Sequence, residues 1–107
     1  MGYDLHITRA EFYAINEGHE ITADEWMRYV QNDPELRHFP EGGKYFVRWL
    51  GKSKYPDPWF DWFQGDIHTK NPDKAIVEKM LQIAKALGAH VQGDDGESYD
   101  DTSQIPE

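Results

Sequence analysis

Five histidines, at positions 6, 19, 38, 68 and 90, are the side chains of this 107-residue chain that ordinarily titrate near neutrality, because there is no cysteine. The absence of thiols removes zinc–thiolate sites, disulfide frameworks and a cysteine nucleophile together. No histidine pair has the His-Glu-x-x-His spacing that sets two imidazoles on one helix face around zinc. His6 and His68 are the pair worth following, since each lies in a strand-like segment. On adjacent strands their rings would approach one another, and with Asp4 they could coordinate a metal or share a proton. The structural alternative is that all five are satisfied or solvated.

Motif matches stop short of an activity. His6-Ile7-Thr8 supplies one half of the paired His-x-Thr used by two-histidine phosphoesterases, which need both imidazoles as acid and base. His68-Thr69-Lys70 places its threonine one residue too early to be the other half. The run from Gly93 through Asp94, Asp95, Glu97, Asp100 and Asp101 is rich in carboxylates. It lacks the alternating acids and the twelfth-position glutamate of an EF-hand loop. It reads as a solvated acidic tail, or as a segment in which Asp94, Asp95 and Glu97 engage a basic partner. Gly-x-Ser-x-Gly, phosphate loops and dinucleotide fingerprints are absent. No catalytic residue, metal ligand or cofactor is therefore assigned.

Trp59-Phe60-Asp61-Trp62-Phe63 puts four rings into five residues. In a strand Trp59, Asp61 and Phe63 share one face, while Phe60, Trp62 and Gln64 share the other. One face can be core. The other is either covered, by a loop or by the C-terminal tail, or exposed as an aromatic patch beside Asp4, His6 and Asp61, as in protein interfaces. Base stacking would use the same rings, but a net charge of −9 opposes nucleic acid. Six of the 20 acids fall in residues 93–107, where there is no base, so 14 acids remain against 11 bases elsewhere. A local basic bias appears at Lys44, Arg48, Lys52 and Lys54.

The elements that must position these residues are legible in part. Residues 3–8 alternate as a strand with one wet face. Residues 9–20 read as a long connection with a helical turn near 10–14. Thr22 and Glu25 form a capping box and Ile21 with Trp26 a hydrophobic staple, starting a helix that Asp33-Pro34 stops. Residues 34–38 read as one further turn. Residues 44–50 read as a second strand with Tyr45, Val47 and Trp49 on one face, and residues 59–67 as a third. Asn71-Pro72-Asp73 starts a second helix with Asn71 as cap, a stripe of Ile76, Met80, Ile83, Ala84 and Leu87, and Gly88 at its end. Residues 89–92 make a fourth strand.

The order β, α, β, β, α, β predicts an α+β, ferredoxin-like βαββαβ fold. It would have a four-stranded, mainly antiparallel sheet with two helices on one face and the aromatic strand central. The expected organisation is one domain over residues 1–92 and an acidic tail over 93–107. No secretion signal is read at the N-terminus, Gly2 lacks the myristoylation pattern, and no apolar run reaches the ~20 residues of a membrane span. The expectation is a soluble cytoplasmic protein.

Residues 2–9 (Gly-Tyr-Asp-Leu-His-Ile-Thr-Arg), residues 88–97 (Gly-Ala-His-Val-Gln-Gly-Asp-Asp-Gly-Glu) and Ile21-Thr22-Ala23-Asp24-Glu25-Trp26 resemble small uncharacterised bacterial proteins. Some of these are immunity proteins of interbacterial toxin systems. The resemblance implies a bacterial, cytoplasmic, toxin-neutralising role; it names no toxin and transfers no functional residue. Charge adds the expectation of a basic toxin as partner, bound through Trp59, Asp61, Trp62, Asp94, Asp95 and Glu97, with no nucleic acid and no membrane. The competing expectations are a metal- or histidine-dependent phosphodiesterase or nuclease on Asp4, His6 and His68, and a domain that forms a homodimer through its open sheet face.

Overall fold

Leu5 and Ile7 lose all solvent exposure beneath two helices while Asp4 and His6 lie on the opposite side, and this alternation makes Asp4–Thr8 an inner strand, β1. The computed structural model describes residues 4–101, so the readings made on Met1, Gly2, Tyr3 and residues 102–107 lie outside the described residues. Helix α1, Ala23–Gln31, starts where its capping box places it. The Glu25 amide donates to Thr22 Oγ1 (3.1 Å) and the Thr22 amide to Glu25 Oε1 (3.0 Å). Trp26 and Val30 are its buried face, and the Trp26 indole finds its acceptor in the Tyr45 carbonyl at 3.0 Å.

Beyond α1 the chain forms the strands β2 (Leu36–His38), β3 (Val47–Trp49), β4 (Trp59–Phe63) and β5 (Asp66–Lys70), then helix α2 (Lys74–Ala86) and strands β6 (His90–Gly93) and β7 (Ser98–Tyr99). The seven strands among the described residues form one sheet in the order β2-β3-β4-β5-β1-β6-β7, and every neighbouring pair is antiparallel. The four-stranded ferredoxin-like sheet expected from the sequence is thus not formed; the fold is a different α+β arrangement. The main cause is Gln64-Gly65. Both residues have positive φ, 48° and 91°, and Phe63 pairs directly with Asp66, so the aromatic run reverses in a two-residue hairpin instead of continuing to Ile67. The new strand β5 takes the place beside β1 and displaces the aromatic strand β4 outward.

Residues 36–38, expected as a turn, pair with β3, and residues 98–99 pair with β6, which supplies the remaining strands. The connection after α1 delivers β2 to the far edge of the sheet, with three strands between it and β1. α2 begins later than Asn71: Asp73 is the cap, its Oδ1 accepting from the Ile76 amide at 2.9 Å, and Asn71 has φ 47°. Gly88 ends the helix in the left-handed region (φ 65°), as its position predicts. Ile76, Val77, Met80, Ile83 and Ala84 pack with Trp26 and Val30 over Leu5, Ile7, Phe60, Ile67 and Val91. Among the described residues no helix is long and apolar enough to cross a membrane.

Two polar clusters tie the helices to this core. The Arg9 guanidinium, at the end of β1, grips the Glu25 carboxylate through Nη1 (3.0 Å) and Nη2 (2.6 Å), and its Nε donates to the Leu87 carbonyl past the end of α2 (2.9 Å). Hydrogen bonds from Arg9, then from the Thr22 backbone, lower the Glu25 carboxyl from 4.5 to about 2. In the second cluster the Lys79 ammonium, whose side chain is 2 % exposed, lies 2.7 Å from both Asp33 and Glu35, and the Tyr29 hydroxyl donates to Asp33. A buried ion pair is costly to break because the surviving charge stays buried.

Lys79→Ala is therefore expected to lower the unfolding free energy by ~3–5 kcal/mol in urea denaturation. Glu25→Gln is expected to cost ~1 kcal/mol at pH 7. Because the folded carboxyl is lowered, its stabilisation is complete above the ordinary 4.5 and lost as pH falls through about 2. Denaturation midpoints of wild type and variant should converge over that interval.

Candidate functional site

Strand register aligns Asp61 of β4, His68 of β5, His6 of β1 and Gln92 of β6 in one row across the face that carries no helix. Neighbouring strands lie ~4.8 Å apart, so this row is continuous. It brings the His6 and His68 rings together, with centroids 6.4 Å apart, as adjacency of their strands anticipates.

His6 is held from three sides. Its Nδ1 lies 2.7 Å from Asp66 Oδ2 and its Nε2 lies 3.1 Å from Asp94 Oδ1, while the Tyr13 ring stacks on it at 3.5 Å and 9°. The imidazole is only 9 % exposed, as is the Asp66 side chain. A neutral ring would turn a lone pair toward one of the two carboxylates; the imidazolium donates to both. Burial opposes the charged form, but the hydrogen bonds to Asp66 and Asp94 outweigh it, and the His6 pKa is raised above 6.5. Asp94 is correspondingly lowered: burial works against its charge, while bonds from His6 and from the Asp4 amide (3.1 Å to Oδ2) favour it.

Loops cover the two ends of this face. Residues 9–20 cross it at β1 and β6, where the Gln92 amide donates to the Glu11 carbonyl (2.6 Å) and accepts from the Tyr13 amide (2.9 Å). The expected helical turn there is a tight turn closed by a bridge between Phe12 and Ile15. The same segment reaches the β4–β5 turn, where Asn16 donates to the Gln64 carbonyl and the Ile21 amide to the Gly65 carbonyl. At the other end Phe46 stacks on Trp59 (5.3 Å, 24°) and the Arg48 guanidinium lies 4.1 Å above Phe39. Beside the 9–20 segment and the β4–β5 turn is a cleft of about 320 Å³, lined by Asp4, His6, Tyr13, Phe63, Asp66 and His68 among others. It is negatively charged: burial first, then Asp94, Asp66, Asp4 and Asp95, raise the Tyr13 phenol above its ordinary 10.0.

The residues expected to bind a partner are divided by the sheet. Trp59 is half-buried on the helix-free face, packed on Phe46 and edge-on to His68 at 5.8 Å. Asp61 lies beside it, and burial raises its carboxyl against the opposing charge of His68. Trp62 is on the helix side, where its indole donates to the Ile21 carbonyl (2.7 Å) and meets Tyr45 edge-on. Asp94 is bonded to His6, while Asp95 and Glu97 are exposed in the β6–β7 turn. There Glu97 accepts from the Asp95 amide, and its carboxylate lies against the Gly93 Cα, where a Cβ would collide. Phe63, 58 % exposed, stands at the cleft mouth.

Asp66 and Tyr13 were not anticipated. Asp66 reaches His6 only because the chain turns at Gln64-Gly65, and the signal for it was the glycine directly before an acid inside an aromatic segment. Tyr13 had no local signal. Chemically, the cleft can accept a cation: an ammonium, a guanidinium or a metal ion. It offers no free histidine base at His6, whose nitrogens are both engaged.

No protein-family model matches the chain, and no curated protein or solved structure matches it either.

Asp66→Asn is expected to cost ~1.5–3 kcal/mol, the worth of a hydrogen bond to a charged group. A raised histidine pKa contributes stability fully below 6.5 that is lost as pH rises through the raised value. The deficit, measured by denaturant unfolding, should therefore be largest near pH 6 and shrink toward pH 9.

Proposed function

We propose that this protein is a non-enzymatic inhibitor that binds a basic bacterial toxin domain with its helix-free face. The observation that carries the reading is the acidic cleft: Asp4 and Asp66 line it beside Tyr13, whose phenol is raised by burial first and then by Asp94, Asp66, Asp4 and Asp95, and the exposed ring of Phe63 stands at the rim. A lysine or arginine from the partner would enter the cleft, with Phe63 supplying apolar contact and Asp61, Asp95 and Glu97 a negative rim. Such complementarity speeds encounter and fixes orientation, and an aromatic anchor beside it supplies affinity. Trp62 leaves the binding set, since its indole is spent on the helix side. The net charge of −9 and the resemblance to immunity proteins support the same reading.

The phosphodiesterase reading draws support from the proximity of His6 and His68. His6 lacks the free nitrogen an acid–base pair requires, so the inhibitor reading is preferred. A homodimer through this face would bury Phe63 against its own copy.

The test is affinity capture of the tagged protein from its bacterial host, followed by co-expression with the captured partner in a growth assay. Wild type should restore growth, and Phe63→Arg combined with Asp61→Lys should weaken the complex at least ~10-fold without changing the fold. Undiminished protection by that double variant would contradict the proposal. So would a wild-type dimer in light scattering that the double variant dissolves.

A further inference from the structure

We infer that Asp4, His6 and Asp94 form a site for a divalent transition-metal ion. One ligand atom from each lies within 4.8 Å of the others. One pair, His6 Nε2 and Asp94 Oδ1 at 3.1 Å, already has the separation of two ligands ~2.1 Å from a shared metal at roughly a right angle. The remaining closure falls to the two carboxylates, which are the more exposed members: the Asp94 side chain is 47 % exposed and that of Asp4 29 %. His6, at 9 %, is the fixed one.

What separates this group from an acidic patch is Asp66. It sits behind the imidazole, buried, 2.7 Å from Nδ1, the nitrogen that faces away from Asp4 and Asp94. A carboxylate on the far nitrogen fixes the tautomer and ring orientation that present Nε2 to a metal, the arrangement found behind ligating histidines generally. The adjoining cleft of about 320 Å³ leaves room for water to complete the coordination. Two competitors hold the same atoms in the metal-free protein. One is the proton on Nε2; the other is the Lys70 ammonium, 65 % exposed and 3.5 Å from Asp4, which can swing into solvent. One imidazole with two carboxylates suits Zn²⁺ or Mn²⁺, whereas Mg²⁺ and Ca²⁺ prefer all-oxygen sites. The bound ion would clamp the start of β1 to the β6–β7 turn.

Calorimetric titration of the chelator-treated full chain with Zn²⁺, Mn²⁺ and Mg²⁺ tests the site. The expected result is one Zn²⁺ or Mn²⁺ per chain with little response to Mg²⁺. Asp94→Asn changes an exposed residue and should weaken binding at least ~10-fold, as should Asp66→Asn, which removes only the outer partner of the ligand. Replacing the remaining histidines 19, 38, 68 and 90 with alanine should leave the affinity unchanged. Mn²⁺ should broaden the backbone amide signals of Leu5 and Gly93 before those of α2. The inference is overturned if wild type binds neither ion, if Asp94→Asn binds as wild type does, or if the four-histidine variant loses binding. Partner capture in the presence of chelator separates this outcome from that of the inhibitor reading.

Discussion

The contact between the His6 ring and the Asp66 carboxylate, both buried in the middle of a seven-stranded sheet, determines what the helix-free face can be. It joins β1 to β5 by side chains where the backbone ladder already pairs them. Tyr13 closes over it and anchors the long connection toward α1, and Asp94 reaches it from the other direction and holds the turn between β6 and β7. A charge in this position is tolerated only while its partners remain, so the ion pair joins the Gln92 bonds to Glu11 and Tyr13 in holding the course of the segments that meet over it.

Packing and charge are thus separated by the sheet. On one side the buried apolar residues of eight elements exclude water, interrupted by Lys79, which carries its own carboxylates with it. On the other side the row from Asp61 through His68 and His6 to Gln92 keeps polar groups in contact with one another under partial cover. The aromatic excess of β4 is divided accordingly. Phe60 completes the core and Trp62 packs against it partly buried, Trp59 is stacked under Phe46, and Phe63 alone of the four is largely exposed.

Features that follow from local spacing were legible in the sequence. The capping box at Thr22 and Glu25, the inward turn of Leu5 and Ile7, the stripe of α2 and the left-handed Gly88 each depend on residues within a few positions. The fold class was not legible, and a single dipeptide explains most of the difference. Asn-Gly or Asp-Gly announces a two-residue hairpin, but Gln64 adopts positive φ with a side chain that rarely does so, and its flanking rings read as one uninterrupted strand. Short strands such as β2 and β7 carry too few residues to show a period. The nearness of His6 to His68 was inferred from strand adjacency, whereas Asp66 and Tyr13 depend on a turn and a loop path that periodicity does not encode. Trp62 is in the expected partner-binding set, although alternation places it opposite Trp59, and its indole is bonded to the Ile21 carbonyl on the helix side.

In the metal-free protein the coupling of His6 to Asp66 and Asp94 is the point on which the account stands, and the His6 titration reports it directly. In metal-free buffer, long-range ¹H–¹⁵N spectra recorded across a pH series resolve both ring nitrogens of each histidine. Both His6 nitrogens should report one titration with a midpoint above 6.5. A midpoint below 6.5 would contradict the account.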